Sequence, residues 1–240
     1  MFFNERYDAI VRILKEKSTA SVHLLSKELF VSEPTVRRDL KKLEEQGIIK
    51  RTFGGAVLSE VLNKEIPLSL RERENMSAKD CIAKEAAKYI RDGQVIFLDA
   101  SSTVYRIVKY LASFSNITVI TNSPKTSLRL AELKIRSFCT GGMLLENSIA
   151  YVGTYAENFI KNFNADVFFF SSRGISADGK ITDSSIEESD LRRTMMQNSK
   201  KNIFLCTSDK IGKRFFYNLT DVSEIDRVIC DTDIDFAART

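Results

Sequence analysis

Small polar side chains follow directly after five apolar segments of the chain, and their types suit the binding of an anion. Hydroxyl groups and backbone N–H groups at the start of a helix bind phosphate oxygens, and a lysine or arginine beside them adds positive charge. Ser and Thr are also common helix caps, so one such group alone says little. Their recurrence after five segments predicts a site for a small polyanionic ligand. The residues that we assign to it are Asp99, Ser101, Ser102, Thr103, Asn122, Gly142, Arg173 and Lys210.

A run of acidic and hydroxyl residues between Asp183 and Asp190 offers a different chemistry. Carboxylates in the first turn of a helix often only complement the helix dipole. Beside a sugar phosphate they can accept hydrogen bonds from sugar hydroxyls, and Glu187 or Glu188 could also act as a general base. The sequence leaves these roles open.

Basic residues near the N-terminus form a second candidate site. They lie on a predicted helix that Ser32 caps and on the hairpin that follows it. Arginine pairs with guanine through two hydrogen bonds, and threonine can contact the methyl group of thymine. The alternative is a structural module with a solvated basic face. We favour DNA binding, and we assign to it Ser32, Thr35, Arg37, Arg38, Lys41, Lys42, Arg51 and Gly54.

The predicted elements explain how these side chains would be held. Apolar spacing predicts a helix over residues 5–17 and two more that begin at Ser21 and Ser32, and residues 48–58 read as two strands that turn at Gly54. Three helices and a hairpin are the plan of a winged helix-turn-helix. We assign residues 1–57 to this DNA-binding domain and residues 58–77 to a linker.

From residue 78 to residue 240, helical patterns alternate with unbroken apolar segments. This alternation predicts an α/β domain with a mainly parallel sheet, whose strand ends would gather the polar groups at one edge. We expect this domain to bind the ligand and to form the oligomer.

Composition excludes several classes of protein. No apolar segment is long enough to span a bilayer, and the single histidine, His23, rules out multi-histidine metal sites. The four cysteines are far apart in sequence, which favours a reduced, cytoplasmic protein. We expect no metal, no cofactor and no membrane partner. The net charge of +4 by itself indicates nucleic acid only weakly.

The segment V31-S-E-P-T-V-R-R-D-L-K-K-L-E-E-Q-G-I-I-K-R-T-F-G-G-A resembles the DNA-binding signature of the DeoR family of bacterial transcription regulators. The resemblance continues through Phe97-Leu-Asp-Ala-Ser-Ser-Thr, Val119-Ile-Thr-Asn-Ser and Ser208-Asp-Lys, and it covers residues 4–235. It implies a regulator of sugar metabolism, usually a repressor. Its C-terminal domain would resemble ribose-5-phosphate isomerase and bind a phosphorylated sugar as effector. By this resemblance Asp99, Ser102 and Thr103 lie on the phosphate loop, and Asn122, Gly142, Glu188 and Lys210 line the rest of the pocket.

The chain departs from the usual family pattern at four places. Ser101-Ser102 stands where the family often has Gly-Thr, and Ser171-Ser172-Arg173 stands where it often has Gly-Ala-Asp. Arg192 stands where it often has lysine, and Phe53 stands where it often has histidine. Arg173 could contact phosphate, fill the pocket or pair with Asp183. Two other functions stay open: a sugar-phosphate isomerase with a DNA-binding domain, for which Arg192 is a poor proton donor, and a protein whose C-terminal domain only oligomerises. An operator of two half-sites requires at least a dimer.

Overall fold

The computed structural model describes residues 3–17, 19–45, 48–58 and 66–232. The chain divides into two compact units, Met1–Ile66 and Pro67–Thr240, which we call the N-terminal unit and the C-terminal unit. Residues 59–65 of the predicted linker lie outside the described residues. The later part of that segment is helical, and its residues Leu68 and Leu70 are buried. These residues therefore pack as part of the C-terminal unit.

The N-terminal unit contains three helices and a three-stranded antiparallel sheet of order β1-β3-β2. Its elements are α1 (Phe3–Lys17), β1 (Thr19–Ser21), α2 (Val22–Leu29), α3 (Glu33–Glu45), β2 (Ile49–Thr52) and β3 (Gly55–Leu58). The predicted helix-turn-helix and wing are confirmed, and β1 is an addition to them. A Cβ atom on Gly55 would overlap the carbonyl oxygen of Ala20, so β1 can lie this close to β3 only beside a glycine.

A helix cap and a buried ion pair stabilise these helices. The Ser21 hydroxyl accepts a hydrogen bond from the backbone N–H of Leu24 at 3.0 Å, which caps α2 as predicted. Arg6 on α1 donates from Nε and Nη2 to the two carboxylate oxygens of Asp39 on α3, at 2.8 and 3.2 Å. Asp39 is fully buried. This forked ion pair fixes the inner face of α3, so the opposite face of α3 is turned outward.

The C-terminal unit contains six α-helices and eleven strands among its described residues. The helices are α4 (Leu68–Arg71), α5 (Met76–Ala87), α6 (Val108–Leu111), α7 (Pro124–Glu132), α8 (Thr154–Ile160) and α9 (Ile186–Gln197). The strands are β4 (Val95–Leu98), β5 (Thr118–Thr121), β6 (Arg136–Cys139), β7 (Met143–Leu145), β8 (Ala150–Val152), β9 (Val167–Phe170), β10 (Gly174–Ile175), β11 (Lys180–Asp183), β12 (Asn202–Cys206), β13 (Tyr217–Asp221) and β14 (Arg227–Cys230).

Six of these strands form the parallel sheet that the sequence predicts, in the order β14-β12-β9-β4-β5-β6. Both faces of the sheet are covered. Phe168 and Phe170 of β9 pack in the cluster that includes Leu191 of α9, whereas Phe169 packs on the other face with Ile82 of α5. This burial on two sides explains why the strands read as unbroken apolar segments.

The order of the strands creates a switch point in the sheet. The chain passes from β4 outward to β5 and β6, and it then returns to the other side of β4 as β9 before continuing to β12 and β14. Connections that leave in opposite directions open a crevice beyond the carboxyl ends of β4 and β9, where open α/β sheets bind their ligands.

The antiparallel parts of this unit were not predicted from the sequence. Strands β7 and β8 form a hairpin, and β10, β11 and β13 form a separate three-stranded sheet. These strands have two to five residues, and such short segments carry little periodic signal. Residues 102–113 have a helical sequence pattern, and they form a 3₁₀ turn at Val104–Ile107 that continues into α6.

Candidate functional site

The loops after β4 and β9 meet at the switch point through the Asp99 carboxylate. Asp99 is buried, and its Oδ1 accepts a hydrogen bond from the N–H of Ser101 at 3.0 Å. Its Oδ2 accepts from the N–H of Ser171 at 3.1 Å and from Nε of Arg192 at 2.9 Å. Asp99 therefore ties the two loops together with both of its oxygens.

Arg192 on α9 holds three buried carboxylates at once. Besides Asp99, it donates from Nη1 to Asp183 at 3.0 Å and from Nη2 to Glu188 at 3.3 Å. Burial alone would lower the pKa of Arg192, but the three carboxylates outweigh it and raise that pKa. Helix α9 starts here because the Ser185 hydroxyl accepts from the N–H of Glu188 at 3.1 Å. The hydrogen bond from Arg192 Nη1 makes Arg192 the charged partner of Asp183.

Two lysines face the same edge from different elements. Lys210, in the 3₁₀ turn after β12, donates from Nζ to the Ser171 hydroxyl at 2.9 Å and to the Ser172 carbonyl at 2.7 Å. Lys79 on α5 is buried and donates to the carbonyl oxygen of Arg71. Burial and the positive charge of Lys210 lower the pKa of Lys79 to about 8. Burial, with the charge of Arg173, lowers the pKa of Lys210 to about 8.

Three polar oxygens at this edge are buried without a hydrogen-bond partner among the described residues. They are Oγ1 of Thr103, Oδ1 of Asn122 and Oγ1 of Thr140, and they follow β4, β5 and β6 in turn. The Asn122 amide donates from Nδ2 to the Tyr151 carbonyl at 3.0 Å, which fixes the orientation of its side chain. A buried unpartnered polar atom is costly, so three in a row fit a site whose ligand supplies the missing partners.

The remaining predicted residues surround this edge. The Ser101 hydroxyl caps the next turn by accepting from the N–H of Val104 at 3.2 Å, and Ser102 is buried beside it. Arg173 is half-buried. Gly142 has φ +113°, and a Cβ atom there would lie 2.7 Å from the Val152 carbonyl oxygen. Gly142 also lines an open groove of about 770 Å³ beside α8.

The outer face of α3 presents the predicted basic residues. Arg37, Arg38, Lys41 and Lys42 are exposed. Arg37 lies 3.6 Å from Glu33 and Lys41 lies 3.9 Å from Glu45, whereas no ion pair of Arg38 is found within the described residues. Ser32 Oγ lies 3.0 Å from Thr35 Oγ1 at the start of the helix.

The wing offers an arginine, a glycine turn and an aromatic ring. Arg51 Nε lies 2.6 Å from Glu44, which also accepts from the backbone N–H of Arg51, so this charge is paired within the unit. Gly54 adopts φ +91°, a conformation that suits glycine in the tight turn. Phe53 beside it is fully exposed.

Comparison with protein families covers both units. The model described as the DeoR-like helix-turn-helix domain matches residues 6–61, and the model described as the DeoR C terminal sensor domain matches residues 74–232. The chain belongs to the DeoR family of transcription regulators. The family resemblance of the sequence is therefore confirmed.

Relatives that match this DeoR-family regulator over most of their length are named as transcriptional regulators or repressors. It is 37% identical to the HTH-type transcriptional regulator GolR of Listeria innocua, over 99% of this chain and 94% of that protein. It is 36% identical to the uncharacterized HTH-type transcriptional regulator YulB of Bacillus subtilis, over 99% and 92%. It is 30% identical to the lactose phosphotransferase system repressor of Staphylococcus epidermidis, over 95% and 91%.

Two solved structures match this chain at low sequence identity. The translation initiation factor eIF-2B of Pyrococcus horikoshii matches with a TM-score of 0.51 and 14% identity, over 95% of this chain and 88% of that one. Ribose 5-phosphate isomerase A of Methanocaldococcus jannaschii has a TM-score of 0.44 and 16% identity, over 57% and 55%. In the part of this DeoR-family chain that the structure describes, no helix has the length and apolar character needed to cross a membrane.

Two residues that organise the site of this DeoR-family chain were not predicted to do so from its sequence. Lys79 shares the buried face of α5 with Ile82, Ala83 and Ala86, and a lysine at this spacing on an apolar face was the available signal. Arg192 was considered only as a departure from the family pattern. Its contact with Asp99 joins residues 93 positions apart, which spacing does not reveal.

Proposed function

We propose that this DeoR-family regulator represses a sugar-metabolism operon, and that a phosphorylated sugar bound at the switch point of the parallel sheet releases it from DNA. One observation carries the effector assignment: Lys79 and Lys210 lie close enough for their charges to oppose each other, and the same edge of the sheet holds three unpartnered polar oxygens. A phosphate group would relieve the repulsion between the lysines, and sugar hydroxyls would satisfy the oxygens. The name of the lactose phosphotransferase system repressor supports the sugar assignment.

The arrangement also argues against turnover. Both candidate bases are poorly placed to take a proton from a substrate. Glu188 is buried in the ion pair with Arg192. Glu187 is exposed and accepts a hydrogen bond from the Ser185 hydroxyl at 3.2 Å. Arg192 stays charged, since an arginine does not release its proton in proteins. We therefore propose binding without catalysis.

Fluorescence anisotropy with the DNA upstream of the chain's own gene tests the effector half. A panel of sugar phosphates is screened for release of the labelled DNA, and the active compound is titrated on three proteins: wild type, Lys210→Gln and Lys201→Gln. Lys201 is an exposed residue that precedes β12, at the opposite end of the strand from Lys210. We expect Lys210→Gln to need about 10-fold or more effector, as loss of a charged hydrogen bond costs about 1.5–3 kcal/mol. An unchanged response would remove Lys210 from the site.

The DNA half is tested in the same assay without effector. Arg38→Ala should weaken specific binding by about 1–3 kcal/mol if Arg38 reads a base. Arg12→Ala is the matched control, because Arg12 is exposed on α1 of the same unit. Equal losses in the two variants would mean that Arg38 contributes only general charge. Loss of the preference for the upstream DNA over scrambled DNA in Arg38→Ala alone is the expected result.

An oligomer completes the proposal. One small DNA-binding module gives limited affinity, and two modules on paired half-sites give more. Exposed apolar side chains on the β7–β8 hairpin and α8, namely Met143, Leu144, Ile149 and Tyr155, supply the surface that a subunit contact needs. Sedimentation of the full chain measures its mass in solution. A monomer at the concentration that saturates the DNA would exclude this part of the proposal.

A further inference from the structure

Two cysteines lie side by side at the carboxyl edge of the parallel sheet. Cys206 is the last residue of β12, Cys230 is the last residue of β14, and the register of the two parallel strands pairs them directly. Neighbouring strands lie about 4.8 Å apart, and a disulfide joins Cα atoms about 4.4–6.8 Å apart. We propose that Cys206 and Cys230 form a peroxide-reactive thiol pair that closes reversibly to a disulfide.

The two thiols have different surroundings, which gives them different roles. Cys206 is buried, whereas Cys230 is partly exposed. A hydrogen bond from the Cys206 thiol lowers the pKa of Cys230 to about 7, against the opposing effects of burial and Asp231. The same hydrogen bond and burial raise the pKa of Cys206. Cys230 is therefore the nucleophile at neutral pH, and Cys206 is the thiol that resolves it.

The reaction balances with hydrogen peroxide as the oxidant. The Cys230 thiolate attacks one peroxide oxygen, the O–O bond breaks, and hydroxide leaves and takes up a proton to become water. The resulting sulfenic acid is attacked by the Cys206 sulfur, which loses its proton as the S–S bond forms and a second water departs. The nearby charge of Lys210 favours the Cys206 thiolate in this step. Two thiols lose two electrons, and peroxide is reduced to two waters.

The pair lies at the base of the turn that holds Lys210. Cys206 leads through Thr207 into the 3₁₀ turn Ser208–Lys210. Asp231, the residue after Cys230, accepts hydrogen bonds from the Ser208 backbone N–H at 2.7 Å and from its hydroxyl at 2.9 Å. Residues that follow the two cysteines are thus already joined, so closing the disulfide needs only a local adjustment of the two strand ends.

The test treats the reduced full-length protein at pH 7 with one equivalent of hydrogen peroxide, followed by alkylation of free thiols, digestion with trypsin and mass spectrometry without reductant. We expect the peptide Asn202–Lys210 linked to Val228–Arg239, lighter than the two separate peptides by two hydrogen atoms, and cleaved again by dithiothreitol. Cys81 is exposed and serves as the internal control. At pH 7 Cys230 should react about threefold faster than an ordinary thiol of pKa about 8.5, because its larger thiolate fraction outweighs the lower nucleophilicity of that thiolate.

Two variants separate the roles of the thiols. Cys206→Ser should leave a sulfenic acid on Cys230 that dimedone traps, and Cys230→Ser should leave Cys206 unoxidised. The wild-type digest does not depend on how well the variants fold. Oxidation of Cys81 ahead of Cys230, or disulfides that join Cys230 to any residue other than Cys206, would overturn the proposal. So would a Cys206–Cys230 pair that stays reduced under these conditions.

Discussion

Replacement of Arg192 by methionine tests whether the three carboxylates around it are structural partners. Arg192 Nε, Nη1 and Nη2 lie 2.9, 3.0 and 3.3 Å from Asp99, Asp183 and Glu188, and all four side chains are buried. Methionine keeps much of the volume but removes the charge. The three carboxylates would then be buried close together with no guanidinium between them, and removal of one partner from a buried ion pair costs about 3–5 kcal/mol.

Protonation limits this cost and makes it depend on pH. A buried carboxylate of ordinary pKa about 4 escapes its penalty by taking up a proton, which costs about 4 kcal/mol at pH 7 and about 1.4 kcal/mol at pH 5. In the variant the folded-state pKa of that carboxylate is raised above its unfolded value, so the folded state binds more protons and gains stability as the pH falls. The deficit relative to wild type should therefore shrink by about 2.7 kcal/mol between pH 7 and pH 5 for each carboxylate that protonates.

Amide hydrogen exchange followed by mass spectrometry measures this deficit unit by unit, which matters because a chain of two units need not unfold in one step. Peptides from β9 and α9 should exchange up to about 1,000-fold faster in Arg192→Met at pH 7, the equivalent of about 4 kcal/mol. Peptides from α1 and α3 of the N-terminal unit should be unchanged and serve as the internal control. Arg192→Lys keeps the charge but loses the forked geometry, so the exchange rates of its β9 and α9 peptides should lie between those of wild type and Arg192→Met.

A variant with wild-type exchange in β9 and α9 at both pH values would refute the reasoning, because it would mean that the carboxylates do not depend on Arg192. A deficit that is the same at pH 7 and pH 5 would also refute it, since that result is expected from lost packing and not from lost charge. A variant that is unfolded at pH 7 and folded at pH 5 is the extreme form of the expected behaviour.

Three further predictions concern other parts of the chain. Asp39→Asn should destabilise the N-terminal unit by about 3 kcal/mol and weaken DNA binding, because it breaks the buried forked ion pair to Arg6; exchange in α1 peptides measures the stability, and unchanged exchange would contradict it. Effector affinity should fall as the pH rises through about 8, because Lys79 and Lys210 lose their protons there. Calorimetry at pH 8 in two buffers of different ionisation enthalpy should show proton uptake on binding, and proton release would contradict this prediction. Gly142→Ala should lower the melting temperature of the C-terminal unit, because its positive φ and the Val152 carbonyl leave no room for a Cβ atom; an unchanged melting temperature would show that the loop relaxes at no cost.

Much of the fold is encoded by patterns within short segments of the chain, and that part could be predicted from the sequence. The winged helix-turn-helix follows from Ser21 as a cap and from apolar spacing along α1 to α3, and the parallel strands follow from unbroken apolar segments such as Val167–Phe170. The antiparallel strands β10, β11 and β13 could not be predicted, because they are short and are defined by pairing with residues distant in sequence.

For the candidate site, the location of the residues could be predicted from the sequence but their contacts could not. Groups at strand ends, such as Asp99 and Lys210, could be placed at one edge because parallel strands end together. What each group does there could not be predicted. Asp99 was expected to face a ligand, yet both its oxygens are already bonded within the protein, whereas Thr103 and Asn122 keep unpartnered atoms. Asp99 is held by two backbone N–H groups and by Arg192, and these contacts with residues of other elements are a property of packing.

The contact between Lys79 and the Arg71 carbonyl has a consequence for how the C-terminal unit begins. Helix α4 is a single turn of four residues, and a helix this short has almost no stability of its own. Its conformation is therefore set by its tethers, which include the Lys79 ammonium at its last residue and the hydrogen bond from the Leu68 N–H to the Asn147 carbonyl at 2.7 Å. An anion that binds the Lys79 ammonium would compete with the Arg71 carbonyl oxygen for it. If the effector binds Lys79, we expect the unit's first turn to respond to it more readily than the six-stranded sheet.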